Sequence, residues 1–334
     1  MNEAIVLAYS GGPAASAAMA SLVAQRGAAV VAMTLDLGQS RDVEELRDRA
    51  LAEGAVRAHV LDVREEFARE FVLPALQAGA LGAGRDPLAA ALAGPMIAKK
   101  LVEVAGIEQA ATVAHGAAGA GAARIAHGVA ALNPRIRVAA PPAGPPPTAC
   151  HTSSNLWGRS ATGGALDDPW APVPEEVFTA TKAAGDAPGT PAYVEISFEV
   201  GVPIAINGIA MSLTELVESL SIIAGQHGVG RVDVIEDGGA GGSRRVYEAP
   251  AAIVLHAAHR ELQTCAVPRE LAQLTRELGV RYADLIHHGR WFTPMREALD
   301  AFTASAQQKV TGMVRVKLFK GQHTIDGRRC GARS

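Results

Sequence analysis

The chain has 334 residues, of which 49% are hydrophobic and 19% charged. This composition fits one large or two ordinary soluble domains and argues against wholesale disorder. The formal net charge of -3 argues against a general polyanion binder, so we expect no nucleic-acid partner. With no bilayer-length apolar run, no membrane partner is expected either. Cys150, Cys265 and Cys330 form no C-x-x-C pair, which indicates reduced thiols in a cytoplasmic protein.

The first half of the chain alternates strand-like and helix-like segments. Strands are predicted at 5–8, 29–33, 58–61 and 111–114, and helices at 14–25, 42–53 and 87–104. Strands that alternate with helices of this length are typical of a parallel sheet covered on both faces. Gly94-Pro95 is expected to interrupt the third helix, because proline removes a helical hydrogen bond. The first half is therefore predicted to be a parallel α/β domain.

The segment 141–147, PPAGPPP, is the clearest break in this pattern. Proline has no N–H to donate to a helix or a sheet, so the segment is predicted to be a linker or an exposed loop. We place the domain boundary at its end, which gives predicted domains at 1–147 and 148–334.

The second half of the chain has a different pattern. Apolar residues alternate with polar ones over 194–200 and Gly201 then turns the chain, which indicates an antiparallel hairpin. Ser212 followed by Glu215 is a capping box and predicts a helix over 213–223. A further helix is predicted at 295–302 and a late strand at 314–318. The second domain is therefore predicted to be α+β.

A candidate phosphate-binding turn follows the first predicted strand. Ser10, Gly11 and Gly12 lie between this strand and the first helix, with Ser16 one turn inside the helix. Backbone N–H groups at such a turn attract oxyanions, and glycines permit their close approach. An ordinary tight turn is the alternative that these residues leave open.

The loop Ala8-Tyr9-Ser10-Gly11-Gly12 resembles the pyrophosphate loop of the argininosuccinate synthases, which belong to the N-type ATP pyrophosphatases. The resemblance continues in order through DLGQ (36–39), REEF (64–67), IAKKLVE (97–103), AHG (114–116), NLWGRS (155–160), HGVGR (227–231), VYEAPA (246–251) and VTG (310–312). It implies a parallel-sheet α/β nucleotide-binding domain of the adenine nucleotide alpha hydrolase-like type, followed by an α+β synthetase domain. It also implies a homo-oligomer, either a tetramer or a dimer.

The resemblance implies the reaction of a carbon–nitrogen ligase in arginine biosynthesis. The ureido oxygen of citrulline attacks the α-phosphate of ATP, and pyrophosphate leaves. The amine of aspartate then displaces AMP from the adenylated intermediate. ATP with magnesium and small amino-acid substrates are thus the expected partners, and the protein's task is to orient them and to offset phosphate charge.

The resemblance also assigns site residues, although none of them is identified as catalytic. The ATP and phosphate set is Ala8, Tyr9, Ser10, Gly11, Gly12, Ser16, His115, Gly116 and Gly119. The set for a citrulline-like substrate is Arg124, Ser160, Glu236 and Tyr247. Plain structural roles are open beside these assignments: a backbone cap for Ser160, a solvated loop acid for Glu236, a core residue for Tyr247 and a satisfied structural histidine for His115. No protein-held metal site is expected, since His287-His288 lacks further ligands at suitable spacing.

The chain departs from the family pattern in both nucleotide loops. Where the family continues L-D-T-S after the two glycines, this chain has Pro13-Ala14-Ala15-Ser16. After His115-Gly116, Ala118 and Ala120 stand where the family has Thr and Lys, and an Asn and an Asp are replaced or deleted. Each lost charge-assisted hydrogen bond is worth about 1.5–3 kcal/mol. The sequence therefore predicts altered or impaired argininosuccinate synthesis.

Three functions remain open at this point. The first is a divergent ligase that still binds adenine nucleotide and an amino acid-like substrate. The second is a non-catalytic paralogue, a pseudoenzyme that binds a nucleotide or an amino acid, or that partners a true synthase. The third is a decaying gene product without a selected role. ATP-dependent pyrophosphate exchange would distinguish the first from the second.

Overall fold

The computed structural model of the chain describes residues 3–25, 28–39, 42–139, 150–236 and 243–331. The chain forms two compact units. The first unit is Met1–Phe67, Ala91–Pro146 and Leu285–Pro294, and the second is Ala68–Ala90, Pro147–Asp284 and Met295–Ser334. The predicted proline-rich linker and the boundary after residue 147 lie outside the described residues, so the division at that point stays a prediction.

The helices and strands follow one another as expected for an α/β half and a mixed half. The first are β1 (Glu3–Ala8), α1 (Pro13–Val23), β2 (Ala28–Asp36), α2 (Val43–Ala52), β3 (Arg57–Asp62), α3 (Arg64–Phe67), α4 (Leu73–Gln77), α5 (Ala89–Ile107), β4 (Thr112–His115), α6 (Gly119–Leu132) and β5 (Arg137–Ala139). They are followed by β6 (His151–Asn155), β7 (Gly158–Thr162), β8 (Ala192–Glu199), β9 (Val202–Ile206), β10 (Ile209–Ala210), α7 (Leu213–Gln226), β11 (Arg231–Glu236), β12 (Ser243–Glu248), α8 (Pro250–Ala266), α9 (Arg269–His287), α10 (Pro294–Gln307), β13 (Gly312–Phe319) and β14 (Gln322–Cys330).

The first unit contains a parallel five-stranded sheet in the order β3-β2-β1-β4-β5. Leu7, Met19 and Leu22 are buried in its core, because the apolar face of α1 packs on the apolar strand β1. The chain leaves β1 toward β2 on one side and later returns to β4 on the other side. This reversal is a topological switch point, where ligands of open α/β sheets bind outside the carboxyl ends of the strands. The predicted α/β fold class is confirmed.

The second unit contains two antiparallel sheets, in the orders β10-β9-β8-β13-β14 and β11-β12-β7-β6. The predicted hairpin is β8 and β9, joined through Val200 and Gly201, both of which have positive φ. The late strand is β13, where Val314, Val316 and Leu318 are all fully buried on one face. The α+β expectation for this part of the chain is confirmed.

The capping box at the start of α7 is confirmed. The Glu215 N–H donates to Oγ of Ser212 at 3.3 Å, and the Ser212 N–H donates to Oε2 of Glu215 at 2.8 Å. Leu213, Leu216 and Leu220 repeat along the buried face of this helix, as the sequence periodicity predicts.

The predicted interruption at Gly94-Pro95 is wrong, because α5 continues through both residues. The missing N–H of Pro95 costs about 3 kcal/mol in a helix interior. Leu92, Met96 and Leu101 are all completely buried on this helix, and their packing offsets that cost. Helix α5 therefore stays continuous because of its tertiary burial, which the rule that proline interrupts a helix does not consider.

The expectation of three reduced thiols is also wrong. Cys265 and Cys330 form a disulfide with a Cα–Cα distance of 6.4 Å, although 65 positions separate them in the sequence. They meet because β14 lies against α8, and each cysteine stands at or next to the end of its element. Cys150 is a free, half-buried thiol. No helix in the described parts of the chain is long and apolar enough to cross a membrane.

Candidate functional site

The turn after β1 packs its backbone closely against β2 and α2. The N–H of Tyr9 donates to the Met33 carbonyl of β2 at 2.8 Å, which fixes the start of the turn on the sheet. Gly11 has a φ of +68°, and a Cβ atom there would collide with Cδ2 of Leu46 on α2. Only glycine combines a readily adopted positive φ with the absence of a Cβ atom. Ser10 beside it is exposed at the carboxyl end of β1.

Helix α1 begins at this turn without a side-chain cap. Gly12 is the N-cap residue in an extended conformation, and Pro13 occupies the first helical position. The Gly12 carbonyl accepts the N–H groups of Ala15 and Ser16, both at 3.0 Å. The N-terminal N–H groups of a helix carry partial positive charge and suit an anionic ligand.

A second loop follows β4 and packs directly against the first. In the parallel register Ala8 of β1 pairs with His115 of β4, so the two loops leave the sheet side by side. A Cβ atom on Gly116 would lie 2.7 Å from the carbonyl oxygen of Ala14 and 2.9 Å from the N atom of Ala15. The backbone of Gly116 therefore contacts the first turn of α1.

Helix α6 also begins without a side-chain cap, at Ala118. Ala118, Gly119 and Ala120 are exposed, so their methyl groups and backbone form the visible surface of this loop. The N-termini of α1 and α6 thus follow adjacent strands at the switch point, and both rely on backbone groups alone. The sheet edge between them can attract phosphate, but it offers few side-chain donors.

His115 is a buried neutral histidine at the end of β4. The residue is 6% exposed, and its Nδ1 atom makes no well-aligned hydrogen bond to a described group. Burial lowers the pKa of the imidazole, and backbone hydrogen bonding near Ala117 opposes this only in part. The ring is therefore uncharged at neutral pH, so it supplies no positive charge to a phosphate.

Ser16 is engaged with α2 rather than directed to the turn. Its hydroxyl donates to Oε1 of Glu53 at 2.9 Å and accepts from Nη2 of Arg49 at 3.3 Å. Arg49 also pairs with Glu53 at 2.9 Å. The Tyr9 hydroxyl is buried beside these groups, and that burial raises its pKa. The side chains of the predicted phosphate residues Tyr9 and Ser16 thus lie in a polar cluster behind the turn.

Ser160 and Tyr247 of the predicted substrate set are brought together. They are directly opposite each other on β7 and β12, and each is 2% exposed. Glu236 ends β11 opposite Ser243, whereas Tyr247 pairs with Val232. Four residues of strand separate Val232 from Glu236, or about 13 Å. The backbone of Glu236 is therefore at the far end of this hairpin, and its side chain lies outside the described residues.

Arg124 of the same predicted set is held inside the first unit. It is 6% exposed on α6, and Nε donates to the carbonyl of His287 at 2.7 Å. A Cβ atom on Gly289 would lie 2.6 Å from Cα of Arg124. The segment 285–294 therefore packs closely around this arginine and uses part of its guanidinium.

Glu248 is a buried carboxylate that the sequence analysis did not single out. Its side chain accepts hydrogen bonds from three consecutive N–H groups, a hydroxyl and a guanidinium. The donors are the N–H groups of Thr179, Ala180 and Thr181 (2.8–3.0 Å), Oγ1 of Thr181 (2.8 Å) and Nη1 of Arg159 (2.9 Å). Glu248 follows Tyr247 in β12, so this cradle fixes the strand beside a predicted substrate contact. The acidic residue inside the apolar stretch VYEAPA could have predicted a buried, hydrogen-bonded carboxylate from the sequence.

Metal ligands are scarce around the candidate phosphate turn in the described part of the chain. No group of three or more His, Cys, Asp or Glu side chains in the described ranges is arranged to hold a metal ion. The side chains of residues 9–16 contain no carboxylate, whereas proteins usually hold Mg²⁺ through one or two carboxylates together with substrate phosphates. We therefore assign no chemical step to a protein-held metal.

Comparison with known proteins identifies relatives of both halves. Residues 4–146 match the family described as arginosuccinate synthase N-terminal HUP domain, and residues 151–333 match the arginosuccinate synthase C-terminal domain. The chain is 46% identical to the argininosuccinate synthase of Symbiobacterium thermophilum, over 97% of this chain and 87% of the relative. It is 43% identical to that of Geobacillus kaustophilus (98% and 86%) and 42% identical to that of Bacillus mycoides (98% and 88%).

Proposed function

The chain belongs to the argininosuccinate synthase family, and from this premise we propose that it binds ATP at the carboxyl edge of its parallel sheet but carries out the family's ligation in an impaired or altered form. One contrast carries the proposal. Two uncapped helix N-termini, which suit an anionic ligand, follow adjacent strands at this edge, whereas the side chains of Ala14, Ala118 and Ala120 there end in methyl groups.

The ATP phosphates are proposed to lie against the N-termini of α1 and α6. Both helices start at the switch point, and no side chain caps their first N–H groups. Helix dipoles and these N–H groups stabilise negative charge there. Ser10 adds an exposed hydroxyl, and Gly11 and Gly116 let the two loops pack closely against Leu46 and Ala14. Orientation and charge stabilisation are the main tasks in phosphoryl-group chemistry.

The amino-acid substrate is proposed to be citrulline-like and to contact Ser160 and Tyr247. The two residues occupy directly opposite positions on β7 and β12, and each side chain ends in a hydroxyl that can donate or accept a hydrogen bond. Glu236 is proposed to bind the α-amino group of the substrate. Arg124 is proposed as a carboxylate contact, in competition with its bond to the His287 carbonyl.

Impairment is proposed to come from the missing side chains rather than from a changed fold. Two lost charge-assisted hydrogen bonds of about 1.5–3 kcal/mol each would raise the reaction barrier by about 3–6 kcal/mol. At about 1.4 kcal/mol per factor of ten, turnover would fall by roughly 10²- to 10⁴-fold.

Calorimetry with ATP, citrulline and aspartate, each titrated alone and then ATP with citrulline, tests the proposal. We expect binding of ATP and of citrulline, and weak or undetectable binding of aspartate. Pyrophosphate exchange into ATP in the presence of citrulline then reports adenylation without the second substrate. Absence of ATP binding would contradict the proposal.

A double variant, Ala118→Thr with Ala120→Lys, tests the cause of impairment. It restores a hydroxyl and an ammonium to the loop between β4 and α6. We expect argininosuccinate formation to rise by at least about tenfold, corresponding to one recovered hydrogen bond. Ala126→Thr with Ala130→Lys, further along α6, is the matched control and should leave the rate unchanged. Equal rates in all three proteins would locate the defect elsewhere.

A non-catalytic paralogue is the second candidate function. It is favoured by Ser16 and Arg124, since both side chains already bond to protein groups. This candidate predicts binding of ATP or of an amino acid without AMP release. AMP formed in equal amount with a ligated product would contradict it.

The proposal includes a cytoplasmic homo-oligomer, either a dimer or a tetramer. Light scattering of the purified chain tests the oligomeric state. Copurification with a second, intact synthase would support the role of the chain as a partner of that synthase.

A further inference from the structure

A polar cluster of four side chains lies behind the predicted phosphate turn. It consists of Tyr9, Ser16, Arg49 and Glu53, and we call it the Glu53 cluster. Tyr9 directly precedes the turn Ser10–Gly12, and Ser16 lies in the first part of α1 that follows it. Arg49 belongs to the last turn of α2, and Glu53 is its C-cap residue. The cluster thus connects α2 to both sides of the turn.

Glu53 is the centre of this cluster. Its Oε1 atom accepts from the Ser16 hydroxyl at 2.9 Å and from Nε of Arg49 at 2.9 Å. The side chain of Glu53 is 26% exposed and that of Arg49 is 49% exposed, so the carboxylate is the better shielded partner. Burial alone would raise the pKa of Glu53, but the hydrogen bonds from Arg49 and Ser16 outweigh it and hold the pKa below its ordinary value. The carboxylate is therefore ionised at neutral pH.

Helix α2 also contacts the turn Ser10–Gly12 through Leu46. Leu46, one turn before Arg49 on α2, occupies the space that a side chain on Gly11 would need. Leu46 confines the turn sterically, and Glu53 holds Ser16 through a charge-assisted hydrogen bond. The Ser16 N–H in turn bonds to the Gly12 carbonyl at 3.0 Å. The position of α2 is therefore transmitted to the first turn of α1.

We propose that Glu53 is a positioning residue for the phosphate turn, which fixes the first turn of α1 through Ser16 and so presets the N–H groups that receive the ATP phosphates. This inference rests on the proposed function for its ligand. It does not make Glu53 a catalytic residue, because the carboxylate acts through Ser16. It assigns a role to an acidic side chain that faces away from the sheet edge.

The test compares Glu53→Gln with Glu108→Gln. Glu108 is the control because its carboxylate pairs with Arg57 at 2.8 Å and lies 2.7 Å from Nε2 of His59 in the same unit. Each variant loses one carboxylate charge and its ion pairs. Amide hydrogen exchange of residues 14–17 is measured without nucleotide, and ATP affinity is measured by calorimetry.

For Glu53→Gln we expect exchange at residues 14–17 to be at least about fivefold faster and the Kd for ATP to rise about tenfold. Glu108→Gln should change neither value by more than about twofold, even if both variants lose similar thermal stability. Should Glu53→Gln not fold, Arg49→Met removes the Arg49–Glu53 ion pair by changing its more exposed partner. Exchange at residues 14–17 should then be faster and the Kd for ATP higher, both by less than in Glu53→Gln.

Unchanged exchange at residues 14–17 would overturn the positioning role. Equal effects of Glu53→Gln and Glu108→Gln would also overturn it, since they would indicate general loosening of the unit. The role is likewise overturned if exchange becomes faster while the Kd for ATP stays the same. Faster exchange in a protein that binds no ATP would support the positioning role and contradict the proposed function.

Discussion

Gly116 brings the loop after β4 into contact with the first turn of α1. A Cβ atom there would press on backbone atoms of Ala14 and Ala15, at 2.7 Å and 2.9 Å, and backbone cannot rotate aside as a flexible side chain can. Gly116→Ala should therefore destabilise the unit by about 1–3 kcal/mol and weaken ATP binding by about tenfold. Chemical unfolding and calorimetry measure the two effects.

Gly106→Ala is the matched control for that substitution. Gly106 is an exposed helical residue of α5 with no heavy atom within 4 Å of its would-be Cβ. Alanine there should stabilise the protein by about 0.5–1 kcal/mol and leave ATP binding unchanged. If both alanine variants bind ATP like the unmodified chain, Gly116 is not part of the site.

His256 and His259 are buried residues of α8 that make stability depend on pH. Burial lowers the pKa of His256 from 6.5 to about 3 and that of His259 from 6.5 to about 4. Below pH 6.5 the unfolded chain binds protons that the folded chain binds only when the pH falls to about 4 at His259 and to about 3 at His256. Their contribution to stability is therefore full above pH 6.5, and it is lost as the pH falls to about 4 for His259 and to about 3 for His256.

For each of these histidines, the free energy of unfolding should be about 2 kcal/mol lower at pH 5 than at pH 7. His256→Leu should remove about half of the combined loss, because one of the two titrating groups is gone. Leucine should be tolerated there, since the His256 ring packs edge-on against Trp157 and no described group hydrogen-bonds to its Nε2 atom. Urea unfolding at the two pH values measures this. His151→Gln, on an exposed strand position, is the control. A pH dependence unchanged by His256→Leu would contradict the assignment.

At the residue scale, the sequence predicted which backbone positions matter better than it predicted what side chains do. The predicted loop and its glycines lie together at the switch point, because residue types that allow close backbone approach are recognisable locally. The partners of Ser16 and Arg124 are 37 and 163 positions away in the sequence. No local pattern contains that information, so these two side chains could not be placed from the sequence.

At the element scale, the disulfide between α8 and β14 is the feature with the largest expected energetic effect. It closes a loop of 65 positions, for which chain entropy gives an upper value of about 4 kcal/mol. Cys330→Ser, or reduction of the unmodified chain, should lower the free energy of unfolding by about 2–4 kcal/mol. Cys150→Ser should leave the response to reductant unchanged. Identical unfolding curves with and without reductant would show that the disulfide does not form in solution.

The start of α6 offers a second prediction at this scale. Ala118 is an N-cap residue with an extended backbone and no side-chain oxygen. Ala118→Thr should stabilise the protein by about 1 kcal/mol, because the threonine hydroxyl can accept a free N–H of the first turn. Ala130→Thr, exposed in the helix interior, should instead be slightly destabilising. Thermal unfolding measures both, and a destabilised Ala118→Thr variant would contradict the cap geometry.

The helices and strands that the sequence predicted could be recognised because periodicity and capping are local properties. The parallel strands β1, β2 and β4 and the capped helix α7 agree with their sequence patterns. The continuity of α5 through Pro95 and the pairing of Cys265 with Cys330 depend on packing between distant segments. Rules that consider one segment at a time miss such effects.

At the scale of the whole molecule, the chain has the two-part architecture of the argininosuccinate synthase family. Its relatives are 42–46% identical over nearly all of its length, and both compact units have the expected architecture. The buried cradle of Glu248 holds β12 in the second unit, and the Glu53 cluster connects α2 to the first turn of α1 in the first unit. Fold and turnover are therefore expected to be separable in this protein.

The most direct test is the rate of argininosuccinate formation from ATP, citrulline and aspartate, measured beside the Symbiobacterium thermophilum relative. We predict that the chain binds ATP and forms product roughly 10²- to 10⁴-fold more slowly than the relative, as expected for two lost charge-assisted hydrogen bonds. A rate equal to that of the relative would contradict the inference from missing side chains to impaired turnover.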